Sequence, residues 1–262
     1  MTAGEKFDKL LGIMATLRGE NGCPWDREQT HQSLRPYLLE EAFEVLECLD
    51  QENMDDLPGE LGDLLLQIIF HAQIATEAGT FTIHDILDRI TRKLIERHPH
   101  VFGDKTISTA REQSIHWEQL KKNEGKKSVL DGVPKALSAL LRAYRLQQKA
   151  STVGFDWPHI GQVWDKLHEE LEELKQAVQN NHRRHIEDEL GDLLFALVNL
   201  ARFLDINPED ALRQTTEKFI RRFQQIEEHF SRQGKDLRDL SLEEMDAVWD
   251  AAKKQEKEKG SS

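Results

Sequence analysis

Strand signals are missing from this sequence. No stretch alternates apolar and polar residues with the β-branched enrichment of a half-buried strand, which argues against a sheet-based fold. Cysteine is nearly absent. Cys23 and Cys48 are the only two, and they fit neither a disulfide framework nor a zinc site. A reducing, cytoplasmic setting is the expectation. Long apolar runs are also lacking. Residues 64–70 and 193–200 are the longest and fall short of a bilayer span, and residues 1–10 hold no apolar signal core. Neither G-x-x-x-x-G-K-[ST] nor G-x-S-x-G occurs, so neither a P-loop nor a hydrolase elbow is expected. The histidines are scattered without H-E-x-x-H spacing. His98 and His100, on either side of Pro99, are read as shaping a chain turn rather than ligating metal. Cations are outnumbered: 35 Lys and Arg against 48 Asp and Glu leave −13, which argues against non-specific nucleic-acid binding. An anionic nucleotide would need local Lys or Arg and a bridging metal.

What is present is an acidic pattern, and it is present twice. Glu40-Glu41-x-x-Glu44 is followed by Gly59-Glu60-Leu61-Gly62-Asp63-Leu64-Leu65, and Glu169-Glu170-x-x-Glu173 by Asp188-Glu189-Leu190-Gly191-Asp192-Leu193-Leu194. From Glu41 to Glu60 is nineteen residues, and so is Glu170 to Glu189. A random run of surface charge would not repeat to the residue. The 262 residues allow one large or two ordinary domains, and the duplication favours two.

Periodicity predicts helices throughout. Phe7, Leu10, Leu11, Met14 and Leu17 mark a first one, broken over residues 18–25 by Gly19, Gly22 and Pro24. Further helices are expected over 34–49, 59–76 and 83–96, and a short piece over 117–121. Residues 123–134, Gly- and Lys-rich, read as a linker. The programme then restarts: a helix from Leu137, then 163–178, 186–204, one led by Asn207 as N-cap and Pro208 at the first position, and 243–254. The expected architecture is all-α, with helical units at 1–122 and 135–262.

Carboxylates three apart lie on one helix face. Two packed helices could therefore bring Glu170, Glu173, Glu189 and Asp192 together, and likewise Glu41, Glu44, Glu60 and Asp63. Hard oxygen ligands of this kind suit a divalent cation such as magnesium. A lone E-x-x-E is usually a solvated face. Here the acids lead directly into apolar runs, and like charges converging at the start of a core helix would not be kept twice without a positive partner. Lys218 and Arg222 stand four apart on the next helix, as do Lys93 and Arg97, suited to phosphate oxygens. Trp117 and Lys121 match Trp249 and Lys253. Such a Trp either stacks on a base or anchors the core with the Lys stem packed on it. Lys166 stands one turn before Glu170 and could reach a phosphate; its counterpart is Tyr37. A ferritin-like di-iron bundle would want two Glu-x-x-His motifs, and only Glu28–His31 occurs. A nucleotide-binding scaffold without turnover is the other rival.

Gly22-Cys23-Pro24-Trp25-Asp26, Gln29-Thr30 and Ser33-Leu34, leading into the first acidic set, resemble the N-terminal signature of the MazG family. The Glu-Leu-Gly-Asp-Leu-Leu elements and residues 97–102 (Arg-His-Pro-His-Val-Phe) extend the likeness over nearly the whole chain. The resemblance implies two tandem MazG-like helical bundles assembling as a homodimer, and an activity that hydrolyses nucleoside triphosphates to monophosphate and pyrophosphate with Mg2+, Mn2+ being a substitute. It places the working site in the second unit, with Glu170, Glu173, Glu189 and Asp192 on the metal and Lys218, Arg222 and Trp249 on the nucleotide. The same acids are the catalytic candidates, and the sequence's own pattern adds Lys166 and Lys253 to the nucleotide-binding set. Which glutamate activates water is left open. Glu41, Glu44, Glu60, Asp63, Lys93 and Arg97 form a possible second site.

Overall fold

A computed structural model describes residues 1–104, 106–107, 109, 112–113, 116 and 128–259, without the side chains of 257 and 259. They divide into two compact units, Met1–Ser108 and Thr109–Ser262. Among the described residues every regular element is a helix, and no helix is long and apolar enough to cross a membrane.

The first unit contains α1 (Ala3–Arg18), α2 (Pro24–Glu28), α3 (Arg35–Asp50), α4 (Leu57–Glu77), α5 (Ile83–Arg97) and α6 (Pro99–Phe102). A reciprocal capping box starts α1: the Thr2 hydroxyl accepts from the Glu5 N–H, and the Glu5 carboxylate accepts from the Thr2 N–H. The apolar stripe foreseen on α1 closes the core. Phe7, Leu10, Leu11 and Met14 meet Leu34, Ile69 and Phe70. After α1 the backbone doubles back so tightly that a Cβ on Gly22 would lie 2.1 Å from the Leu17 carbonyl oxygen, so only glycine fits. Arg18 then ties this bend to the end of α4. Its Nη2 and Nε donate to Glu77 at 2.7 and 2.9 Å, and its Nη1 donates to the carbonyls of Asp26 and Gln29. The short helices α2 and α6 are not foreseen by periodicity; each begins on a proline, Pro24 and Pro99.

The second unit contains α7 (Ala139–Ser151), α8 (Ile160–Gln179), α9 (Arg183–Phe203), α10 (Pro208–Ser231), a 3-10 turn (Leu237–Asp239) and α11 (Leu242–Lys259). Asn207 caps α10 as expected, its side-chain oxygen accepting from the Glu209 N–H at 3.0 Å. Of the expected linker, residues 128–132 form a bend and turns, with Gly132 at φ 82°, residues 133–134 are irregular, and 123–127 lie outside the described residues.

The two units share one plan. In the first, α4 packs against α1, α3 and α5; in the second, α9 packs against α7, α8 and α10, and α11 lies on α10. The second acid-bearing helix is thus the hub of each. The connections between the two acidic helices match in detail. Glu52 and Asn181 both hold left-handed backbone at φ 54°, and the offset between them equals that between Glu41 and Glu170. The loop tie recurs with its charges exchanged between elements: Arg202, at the end of α9, pairs with Asp156 in the loop before α8.

Candidate metal and nucleotide site

In the second unit α8 and α9 lie side by side and bring three of the expected acids together. Carboxylate oxygens of Glu170, Glu173 and Glu189 all lie within 4.8 Å of one another. Glu170 is buried (6% exposed), Glu189 half-buried and Glu173 exposed, so the cluster opens to solvent on one side. Burial and then the charges of Glu170 and Glu189 push the Glu173 carboxyl above its ordinary pKa. Asp192 stands one turn after Glu189 on α9, exposed and outside this mutual set. Lys166 supplies positive charge from α8: Nζ is 2.8 Å from Glu169 Oε1 and 2.6 Å from Glu170 Oε1. Those two bonds, Glu169 first, hold its ammonium well above the usual lysine range. His185 Nδ1 lies 3.2 Å from Glu189 Oε1.

The first unit groups a slightly different trio, Glu41, Glu60 and Asp63. Glu44 lies outside it, yet its charge helps to raise the pKa of Glu41 and Glu60. For both, burial is the first cause; Asp63 comes next for Glu41, and Glu44 next for Glu60. Buried Gln67 approaches Glu41 with Nε2 at 3.4 Å. Where the second unit has Lys166, this one has Tyr37, whose ring meets Trp25 edge-on at 5.8 Å.

The basic residues lie on the helices that follow. Lys218 and Arg222 occupy one face of α10, both half-buried. Arg222 donates twice to Glu256 on α11 and lies over the Trp249 ring, 5.4 Å from its centroid. Trp249 is half-buried and leans on Phe219 at 5.3 Å, while Lys253 is exposed one turn further along. On α5, Lys93 is exposed and Arg97 half-buried. Trp117 and Lys121 lie outside the described residues. The Glu28–His31 motif leads elsewhere: His31 Nδ1 faces His71 Nδ1 at 2.7 Å. His98 caps α5, its Nδ1 at 2.7 Å from the Leu94 carbonyl oxygen. Sequence reasoning missed Glu256 and Phe219. The available signal was position, since Glu256 falls seven residues after Trp249 and so on the same helix face.

A family model described as the MazG nucleotide pyrophosphohydrolase domain matches residues 29–102 and 162–226. The chain belongs to the MazG family. The matched segments fall one in each unit, so the MazG domain occurs in tandem, and each spans both acid-bearing helices. Among MazG relatives, the nucleoside triphosphate pyrophosphohydrolase/pyrophosphatase MazG of Thermotoga maritima is 48% identical over 96% of this chain and 97% of its own length. The nucleoside triphosphate pyrophosphohydrolase of Escherichia coli K12 is 46% identical over 96% of this chain and 98% of its own. A longer Bacillus subtilis protein, the uncharacterized YabN, is 47% identical, and the match spans 52% of its length.

Proposed function

We propose that this MazG chain hydrolyses nucleoside triphosphates and deoxynucleoside triphosphates between the α- and β-phosphates, releasing monophosphate and pyrophosphate, with Mg2+ as cofactor. Nucleotide-pool housekeeping or a stress response is its role. The observation that carries this reading is the convergence of Glu170, Glu173 and Glu189 where two helices meet, in a chain 46–48% identical over nearly its full length to proteins named for that activity. The donor set fits a hard divalent cation: every ligand atom is a carboxylate oxygen, and the set carries more negative charge than Lys166 alone offsets. Glu170, Glu173 and Glu189 would hold it, with Asp192 beside them. When bound, Mg2+ would supply charge neutralisation on the triphosphate and a more acidic water.

The chain's own groups do the rest. A site glutamate orients the attacking water and takes its proton. The water oxygen bonds to the α-phosphorus as the bond to the bridging oxygen breaks, and pyrophosphate departs. Lys166, Lys218 and Arg222 take up charge that develops on the leaving group, and Trp249 and Lys253 address the nucleotide. Turnover belongs to the second unit, because Lys166 has become Tyr37 in the first.

The working form is a homodimer. The units expose wide apolar faces: Leu87, Ile90 and Leu94 on α5, which has no buried residue, and Leu190, Leu194 and Leu197 on α9. Exposed apolar faces of this kind support a subunit interface. The acidic net charge argues against direct nucleic-acid binding, and the cytoplasm is the compartment we infer.

A panel of nucleotides incubated with Mg2+ and resolved by product tests the reading. Monophosphate plus pyrophosphate is expected, and Glu189→Gln should abolish turnover with helicity retained. Diphosphate plus phosphate would overturn the cleavage position. Binding without consumption would favour the scaffold instead.

A further inference from the structure

Arg222 is held by more than its own helix. Trp249 and Glu256, seven residues apart on α11, share the face that packs on α10. The guanidinium lies over the indole of Trp249, and a single oxygen, Glu256 Oε2, accepts from Nε at 2.8 Å and from Nη2 at 2.6 Å. The side chains of Arg222 and Glu256 are 18% and 28% exposed. This is therefore a partly desolvated pair pinned by an aromatic ring, unlike the freely solvated surface pairs that contribute little.

The edge used matters. A guanidinium has five N–H donors in a fixed plane. Glu256 takes the Nε hydrogen and one on Nη2. One Nη1 hydrogen and the second Nη2 hydrogen form a separate edge, which presents two parallel donors of the kind that match phosphate oxygens. A carboxylate on one edge and a phosphate on the other can be bound together, so nucleotide need not expel Glu256.

We propose that Glu256 is a positioning residue for the pyrophosphohydrolase site: it grips Arg222 by its Nε/Nη2 edge, over Trp249, so that the Nη1/Nη2 edge is aimed at the phosphates. This rests on the reading of Arg222 as a phosphate-binding group. Lysine at 222 would lose the arrangement, because an ammonium has no second edge.

The test is steady-state hydrolysis of ATP with Mg2+ by the full chain carrying Glu256→Ala, Glu256→Gln, Arg222→Ala, and Arg222→Ala combined with Glu256→Ala. Glu256→Ala should raise KM about tenfold with a smaller change in kcat. Glu256→Gln keeps an acceptor oxygen and should recover part of the loss. In the Arg222→Ala background, Glu256→Ala should cost nothing further, because it acts on the phosphates through that guanidinium; the longer contact of Glu256 Oε1 with Arg221 Nη2, at 3.9 Å, serves no part of this proposal. Effects that multiply would overturn the proposal, as would a lower KM in Glu256→Ala, which would make Glu256 a competitor of the triphosphate. Should Glu256→Ala melt early, the Gln variant carries the same comparison. The underlying reading fails separately: if Arg222→Ala alone leaves KM unchanged, Arg222 is not a phosphate ligand and the proposal falls with it. Continued turnover by Glu189→Gln would instead overturn the site assignment.

Discussion

Lys166 Nζ lies 2.6 Å from Glu170 Oε1, and at the matching place one repeat earlier Tyr37 turns its ring to Trp25. The two acidic clusters therefore differ in the charge that faces them, although their helices match. Glu170→Ala should lower turnover by roughly 10²-fold or more, and Lys166→Met by a comparable factor, while Glu41→Ala retains most of it. Initial rates with one nucleotide and Mg2+ check all three. Equal losses in Glu41→Ala and Glu170→Ala would show that both units turn over.

The uncompensated cluster should weaken the first unit. In the folded chain the Glu60 carboxyl sits above its ordinary pKa, because of burial first and then Glu44 and Asp63. A raised carboxyl pKa means that ionisation is less favourable folded than unfolded, so the penalty is present at neutral pH and fades as pH falls into the carboxylate range. Glu60→Gln should therefore raise the apo Tm at pH 7 and gain little at pH 4. Calorimetry without divalent cation measures this; a lower Tm at pH 7 would count against it.

Spacing foreshadowed which acids come together, although it also put Asp192 and Glu44 into those sets. Carboxylates at i and i+3 on two neighbouring helices were enough to foresee that Glu170, Glu173 and Glu189 meet, because helix geometry fixes which residues share a face. The same rule does not decide which rotamers close together, and the trios differ: Asp63 joins in the first unit and Glu173 in the second. Short helices escaped for another reason. Pro24 and Pro99 read as breakers, but proline also suits the first position of a helix, and four or five residues are too few to display a period. Glu256 escaped because its role depends on how α11 lies on α10, a tertiary fact.

Acid should loosen the tie between Arg18 and Glu77. Hydrogen bonds from Arg18 hold the Glu77 carboxyl below its ordinary pKa. A depressed carboxyl pKa contributes stability above the unfolded value near ~4.3, and that stability is lost as pH falls through the lower folded value. Glu77→Gln should cost about 1–2 kcal/mol at pH 7, allowing for partial solvent screening, with the difference from wild type shrinking steadily as pH falls below the unfolded carboxyl value. Urea unfolding across that range gives the comparison. A gap that persists in acid would point to packing instead.

His31 and His71 lie end to end. Their ring planes differ by 10°, and the 5.0 Å centroid separation is what an in-plane pair needs when the facing Nδ1 atoms are 2.7 Å apart. One proton fits between them and two do not. Burial, then His31, lowers the His71 pKa. The unfolded ring takes a proton near pH ~6.5 while the folded ring resists it, so stability should fall as pH drops below that value and level off below the folded pKa. In His71→Phe the midpoint urea concentration should change less between pH 7.5 and 5.5 than in wild type. An unchanged slope would remove His71 from this role.

The helix α4 carries its acids in its first two turns and α9 in its N-terminal half and, along the same rods, the surfaces on which α1, α3 and α5 or α7, α8 and α10 rest. Clustered charge and rigidity along the length are therefore a single property of each rod. Tightening the acidic cluster with Mg2+ would restrain the whole bundle, and protease resistance on adding the cation should then spread over every helix that leans on the rod, well beyond the carboxylates that would hold it.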